Sequence, residues 1–216
     1  VQTCALPICI FMFSFFKKDK GTFRPLKKVN KQHRQFKLQE ISQATLGAGD
    51  IKNAVKLPAG ENLNDWLAVS VVDFFNELSC LVAPIIPFCT VEKCSEMTAG
   101  PGYKYYWQDN DKYKKPVMLP ACEYITNVMM WVEGMLNDEK TFPSDPNAPF
   151  PKDFMKIVQN IFKRLFRIYA HLYHHHREDV ISTGIEENLN SSFRHFMYYT
   201  KEFQLIPENQ LEQIGR

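Results

Sequence analysis

Hydrophobic residues recur at three- and four-residue steps over several long stretches, and each stretch predicts an amphipathic helix. Over about 63–82 the apolar set is Leu63, Trp66, Leu67, Val71, Phe74, Phe75 and Leu78, with Asn62 or Asn64 available as the cap. Over about 120–136 it is Tyr124, Val128, Met129, Trp131, Val132, Met135 and Leu136, with Pro120 where a first helical residue is tolerated. The longest stretch, about 152–174, carries Phe154, Ile157, Val158, Ile161, Phe162, Leu165, Ile168 and Leu172. An aromatic-rich helix starts at Asn190 or Ser191, runs through Phe203 and is limited by Pro207. A short helix over 36–46 ends at Gly47 and Gly49. Period-two alternation over 103–107, a turn at Asp109-Asn110-Asp111 and a return over 113–118 predict one hairpin. Pro84 and Pro87 stop the first long helix, and a proline-rich link over 142–151 precedes the longest. The pattern is that of a mainly α protein, a helical bundle with a small β-hairpin and no internal repeats.

Composition fits this picture. The 216 residues are 45% hydrophobic and 13% aromatic, which suits one globular domain with a sizeable core. The net charge of +2 hides an asymmetry. Residues 1–37 hold nine of the 26 bases and one of the 24 acids, leaving the remainder at −6. We therefore expect a basic arm over 1–35 and a helical domain over 36–216. An acidic body can attract a basic partner or its own arm. The opening VQTCALPIC resembles translated vector or adapter sequence, so it is set aside in reading the fold. The apolar run 5–16 is too short to span a bilayer, and positive charge follows it instead of preceding it, unlike a signal peptide. The cytoplasm is the expected location, and membrane insertion is not expected.

The candidate chemistry lies in two short spacings. Cys89-x4-Cys94 and His171-x4-His176 both suit a tetrahedral zinc site with two thiolates and two imidazoles. More than seventy residues separate the pairs, so one ion would tie a loop to the far end of another helix. Four of the six histidines fall within 171–176, and spacing leaves the choice among them open. On a continuous helix, positions five apart diverge by roughly 140°, whereas 171 and 175 share a face. Pairing His171 with His176 requires the helix to end or distort near His174. Without a metal, the same residues read as a solvated helix end and two buried thiols. Cys80 and Cys122 are expected in the core, and His33 and His195 are assigned no site. Four protein ligands leave no open position for water, and no HExxH sequence supplies a base, so no catalytic residue is assigned. A zinc-dependent hydrolase using the histidine cluster is the rival reading.

Two helix faces are distinctive. Lys152, Lys156, Lys163, Arg167 and His174 fall within about 60° on the longest helix, with Arg164 beside them. The run Lys163-Arg164-Leu165-Phe166-Arg167 could hold a phosphate, or could be an ordinary solvated face. Nucleic-acid binding is the third option, and the acidic body opposes it. Glu61, Asp65, Trp66 and Asp73 lie on or near one helix face and would suit a basic helix from a partner. The alternative is that Trp66 belongs wholly to the core.

Taken in order, these pieces resemble the Mob family of kinase-activating adaptors, closest to its founding class, from about residue 15 onward. The matching stretches include Lys20-Gly21-Thr22-Phe23-Arg24-Pro25, Ala44-Thr45-Leu46-Gly47, Asn64-Asp65-Trp66 and Val72-Asp73-Phe74-Phe75-Asn76. Further on come Phe88-Cys89-Thr90 with Cys94, Gly100-Pro101-x-Tyr103-x-Tyr105-x-Trp107, Pro149-Phe150-Pro151-Lys152 and Lys163-Arg164-Leu165-Phe166-Arg167-x-Tyr169-x-His171. The resemblance implies a Mob/phocein-type four-helix core, a structural zinc on Cys89, Cys94, His171 and His176, and no catalysis. It also implies a phosphothreonine pocket of Lys163, Arg164 and Arg167 for an upstream Hippo/MST-class kinase. Glu61, Asp65, Trp66 and Asp73 would receive the N-terminal helical segment of an NDR- or LATS-class kinase. Thr22 and Thr45 would be the phosphorylated threonines that release the basic arm. Ser95, where the family commonly has proline, and the proline-rich 83–87 approach to Cys89 depart from the pattern.

Overall fold

The computed structural model describes residues 50–109, 111–145 and 147–211, together with Leu38, Glu40 and Ile41. The basic arm with Thr22, the predicted phosphorylation position Thr45 and His33 lie outside the described residues. Of the helix expected over 36–46, Leu38, Glu40 and Ile41 are helical, and Leu38 is fully buried.

The elements in chain order are α1 (Ile51–Ala54), α2 (Leu63–Val82), a 3-10 turn (Ile86–Phe88), β1 (Tyr106–Trp107) and β2 (Val117–Met118). Then follow α3 (Ala121–Leu136), α4 (Phe154–His175), α5 (Arg177–Ser182), α6 (Glu186–Glu202) and α7 (Glu208–Leu211). Helix α2 begins where the sequence placed it, and the choice of cap falls on Asn62. Its side chain accepts from the backbone N–H groups of Asn64 (2.8 Å) and Asp65 (3.4 Å). Helix α6 starts earlier than Asn190, because Gly184 takes a left-handed φ of +71° and closes the preceding turn. Glu186 and Glu187 then occupy the favourable first turn of α6.

Helices α2 and α4 pack on each other at the centre, with α3 and α6 against them. Aromatic rings fill the contact. Phe74 of α2 meets Phe162 of α4 edge-on at 5.5 Å and Phe196 of α6 at 5.4 Å. Phe162 stacks on Phe196 (5.1 Å) and on Tyr199 (5.6 Å). Such edge-on and stacked pairs add stabilisation beyond simple burial. Cys122 is in this core as expected, but Cys80 is exposed. Position 80 lies off the Leu67–Phe74–Leu78 stripe, so the thiol's general preference for burial gives way to helix geometry.

The hairpin is shorter than the alternation predicted. Tyr106 pairs with Met118 and Trp107 with Val117, and no other residues form the two strands. The preceding residues pair elsewhere: Ala99 N–H donates to the Tyr103 carbonyl and Tyr105 N–H to Met97, each at 2.9 Å. Met97 N–H in turn donates to Leu119 (2.9 Å), and Ala121 N–H to Cys94 (3.0 Å). The cysteine loop, the hairpin and the start of α3 are thus stitched into one layer against α4.

Candidate metal centre and recognition faces

Cys89 closes the 3-10 turn, its N–H donating to the Ile86 carbonyl (3.1 Å). Cys94 follows a tight turn in which its N–H donates to the Thr90 carbonyl (2.8 Å). Both face the C-terminal end of α4. That helix ends at His175, and His176 leaves helical geometry at φ −127°, ψ 22°. The break turns His176 back toward His171. The four side chains are buried, and their ligand atoms all lie within 4.8 Å of one another.

Their geometry can be tested against a tetrahedral ion. Metal–sulfur bonds of about 2.3 Å and metal–nitrogen bonds of about 2.05 Å at tetrahedral angles set S···N at roughly 3.6 Å. Cys89 Sγ lies 3.6 Å from His171 Nε2, and Cys94 Sγ lies 3.5 Å from His176 Nε2. Both imidazoles are held from behind. His171 Nδ1 meets the Thr98 carbonyl at 2.8 Å, which leaves Nε2 bare toward the sulfurs. His176 Nδ1 meets Asp179 Oδ2 at 2.7 Å, and Lys93 Nζ donates to the same oxygen at 2.7 Å. The Cys94 thiol is pushed down to about 2, first by its hydrogen bond with Cys89 and then by the imidazoles, against the opposing effect of burial. A thiolate is the form that binds metal. These four residues therefore fit a divalent metal with a preference for thiolate and imidazole, and could hold one with all four tetrahedral positions filled. His175 is turned away: its Nε2 meets Thr98 Oγ1 at 2.8 Å. His174 is exposed.

The arginines form a second cluster on the middle of α4. Arg164 lies between two indoles, 4.2 Å over Trp107 and 4.4 Å over Trp131. Its Nη2 donates to the Gln108 carbonyl at 2.9 Å, whereas Nη1 is buried with no hydrogen-bond partner among the described residues. Arg167 donates from Nη1 to the Tyr124 hydroxyl (2.7 Å) and lies 5.2 Å over the Tyr105 ring. Burial lowers the pKa of Arg164, and the nearby Arg167 charge lowers it further. No carboxylate forms an ion pair with either arginine among the described residues. Asp109 sits behind the pair, its Oδ2 accepting from Trp107 Nε1 (2.8 Å) and its Oδ1 from Tyr113 N–H (2.8 Å). Lys163 directly precedes Arg164 on α4 and lines a groove with Gln159, Lys201 and Gln204.

Of the acidic set, Glu61, Asp65 and Asp73 are partly exposed along α2 and its approach. Trp66 is not on that surface: it is 1% exposed, and its indole N–H donates to the Val55 carbonyl at 3.2 Å. Glu77, one turn beyond Asp73, extends the acidic line and was not singled out from sequence. Its carboxyl is pushed up by desolvation and, against a Ser192 hydrogen bond, by the Asp73 charge. The Arg164 clamp was also missed, because Trp131 reads as part of the α3 core stripe.

Fold and clusters together define a helical domain with a buried two-cysteine, two-histidine cluster that could hold a metal ion, and with charged clusters on the helices around it. The chain belongs to the Mob1/phocein family, whose model matches residues 43–214. It is 46% identical over 202 residues to "MOB kinase activator-like 1 homolog A" of Dictyostelium discoideum, covering 94% of this chain and 95% of that protein. "MOB kinase activator-like 1B" of Arabidopsis thaliana is 46% identical over 91% of this chain and 92% of its own length. "Maintenance of ploidy protein mob1" of Schizosaccharomyces pombe is 43% identical over 90% of this chain and 92% of its own. Among the described residues, no helix is long and apolar enough to cross a membrane.

Proposed function

We propose that the chain is a non-catalytic co-activator of an NDR/LATS-class protein kinase, acting in Hippo- or mitotic-exit-type signalling. One zinc ion on Cys89, Cys94, His171 and His176 supplies a structural cross-link. The acidic line Glu61, Asp65 and Asp73 receives the kinase's basic N-terminal helix, with Trp66 fixing the backbone beneath it. Lys163, Arg164 and Arg167 read phosphothreonine on an upstream MST-class kinase. Phosphorylation of Thr22 and Thr45 frees the acidic face from the basic arm.

The observation that carries this reading is the unpartnered Nη1 of Arg164. A buried guanidinium nitrogen without an acceptor is costly, and a second arginine beside it raises that cost. A phosphate dianion would supply both the missing acceptor and the missing charge. The relatives' names as kinase activators support the same role. The zinc-loaded chain should raise the activity of an NDR/LATS-class kinase, carry one zinc per chain, and show no turnover of its own. Metal-dependent hydrolysis with no effect on the kinase would overturn the proposal.

A further inference from the structure

Buried side-chain polar atoms without a hydrogen-bond partner are few among the described residues: Asn76 Oδ1, Asn127 Nδ2, Arg164 Nη1 and Thr200 Oγ1. Two of these, the Asn127 amide nitrogen and the Arg164 guanidinium nitrogen, are donors on α3 and α4, which pack on each other. An unpaired buried donor costs free energy, so two of them on facing helices point to an acceptor from outside the fold.

Helix α3 places Asn127 at the arginine cluster. Tyr124, three residues before it, accepts from Arg167 Nη1 at 2.7 Å, and the Trp131 ring, four residues after it, lies 4.4 Å from the Arg164 guanidinium. Residues three and four apart share a helix face, so Asn127 stands on that face between the levels of the two arginines. The neighbouring acids are engaged elsewhere. Glu123 accepts from the Tyr113 hydroxyl at 2.8 Å, and Asp109 accepts from Trp107 Nε1 and the Tyr113 N–H, each at 2.8 Å. Glu133 is set about 120° round the helix from Asn127. Among the described residues this face therefore offers two buried donors and an acceptor for neither.

We propose that Asn127 is a further ligand-binding residue of this cluster, its amide N–H donating to an oxygen of the phosphate that Lys163, Arg164 and Arg167 would hold. The inference rests on the phosphothreonine reading of the basic residues and adds to it a neutral donor from a different helix. A phosphate suits the pair of donors better than a carboxylate does. It has three outer oxygens, so one can pair with Arg164 Nη1 while another accepts from Asn127. The terminal amide torsion is soft, so the NH2 group can turn to a ligand without moving α3. The basic side chains attract the anion by charge; the Asn127 donor, set between Tyr124 and Trp131, fixes where it sits.

The test titrates the zinc-loaded full chain with acetyl-Ala-Ala-phosphothreonine-Ala-Ala-amide and with its unphosphorylated counterpart. NMR follows the Asn127 side-chain amide and the Trp107 and Trp131 indole signals. The phosphopeptide should shift all three saturably, and the unphosphorylated peptide should not. Asn127→Leu keeps the approximate size and removes the donor. It should weaken phosphopeptide binding about tenfold yet raise the melting temperature by about 2–4 °C, because a buried orphan is lost. Asn127→Asp puts an acceptor beside Arg164 from within the fold and should weaken binding more than Asn127→Leu does. Arg164→Ala, run alongside, separates the two ways to fail. If it weakens binding more than about tenfold while Asn127→Leu binds like the parent or melts lower, Asn127 only packs, and this inference falls alone. If the unsubstituted chain shows no saturable shift up to about 10 mM, where even millimolar affinity would register, the phosphothreonine reading falls and takes the inference with it.

Discussion

The end of α4 and its middle each carry a polar cluster, and the two differ in how completely their atoms are satisfied. At the end, every ligand imidazole has a partner behind it, and the four ligand atoms face only one another. In the middle, Arg164 is held by two indoles and one carbonyl yet keeps a buried nitrogen with no partner among the described residues. A saturated cluster is finished by folding and a metal. An unsaturated one is finished by something from outside. In the proposed function the first is structural and the second serves recognition, although only a few helical turns separate them.

Breaking the closed cluster should have the largest effect. Chelation, or Cys94→Ser, should lower stability by about 5 kcal/mol or more, which at this size is a melting-temperature loss of roughly 10–20 °C. Calorimetry with parallel metal analysis measures it. An unchanged melt after metal removal would mean that the core alone holds the cysteine loop against α4.

Loosening the support of the open cluster should act on binding and leave the fold nearly intact. In Trp131→Leu, Arg164 keeps Trp107 and the Gln108 carbonyl but loses one wall of its clamp. Phosphothreonine-peptide affinity should fall about five- to thirtyfold, in line with the loss of a partly desolvated cation–π contact of ~1–2 kcal/mol. Zinc content should not change. Equal losses in affinity and stability would show that Trp131 merely packs.

The smallest effect concerns acid sensitivity. His195 rests on the Phe74 ring at 4.6 Å, and burial pushes its pKa down to about 4. The unfolded chain then binds this proton more readily, so stability is full above the ordinary histidine value near 6.5 and falls as pH drops toward 4. His195→Phe should remove about 2–3 kcal/mol of that decline between pH 6.5 and 4, measured by denaturation at each pH. Loss that remains in the variant belongs to the other acid-sensitive groups, the metal ligands among them.

Sequence spacing made the closed cluster visible because ligand pairs at fixed intervals are local signals. It left His175 and His176 undecided, since nothing in Tyr173-His174-His175-His176-Arg177 opposes a continued helix. The break at His176 is tertiary, tied to Asp179 and Lys93 through the short α5 that the periodicity missed. The acids Glu178 and Asp179 just after the histidines were the available hint of a new helix start. The open cluster was legible only as charge. Trp107 comes from the hairpin and Trp131 from α3, and no periodicity within one helix places both around an arginine of a third element. Cys80 shows the reverse error: residue type suggested burial, while its position on the α2 wheel pointed outward.

The most direct test of the division between staple and recognition site is calorimetric titration of the zinc-loaded chain with a phosphothreonine peptide and with a basic helical kinase segment. Arg164→Ala and Arg167→Ala should each lower phosphothreonine-peptide affinity more than about tenfold, as expected for charge-assisted hydrogen bonds. They should leave kinase-segment affinity within about twofold and zinc content unchanged. Phosphopeptide binding that survives both substitutions, or losses that extend equally to the kinase segment and the metal, would contradict the account.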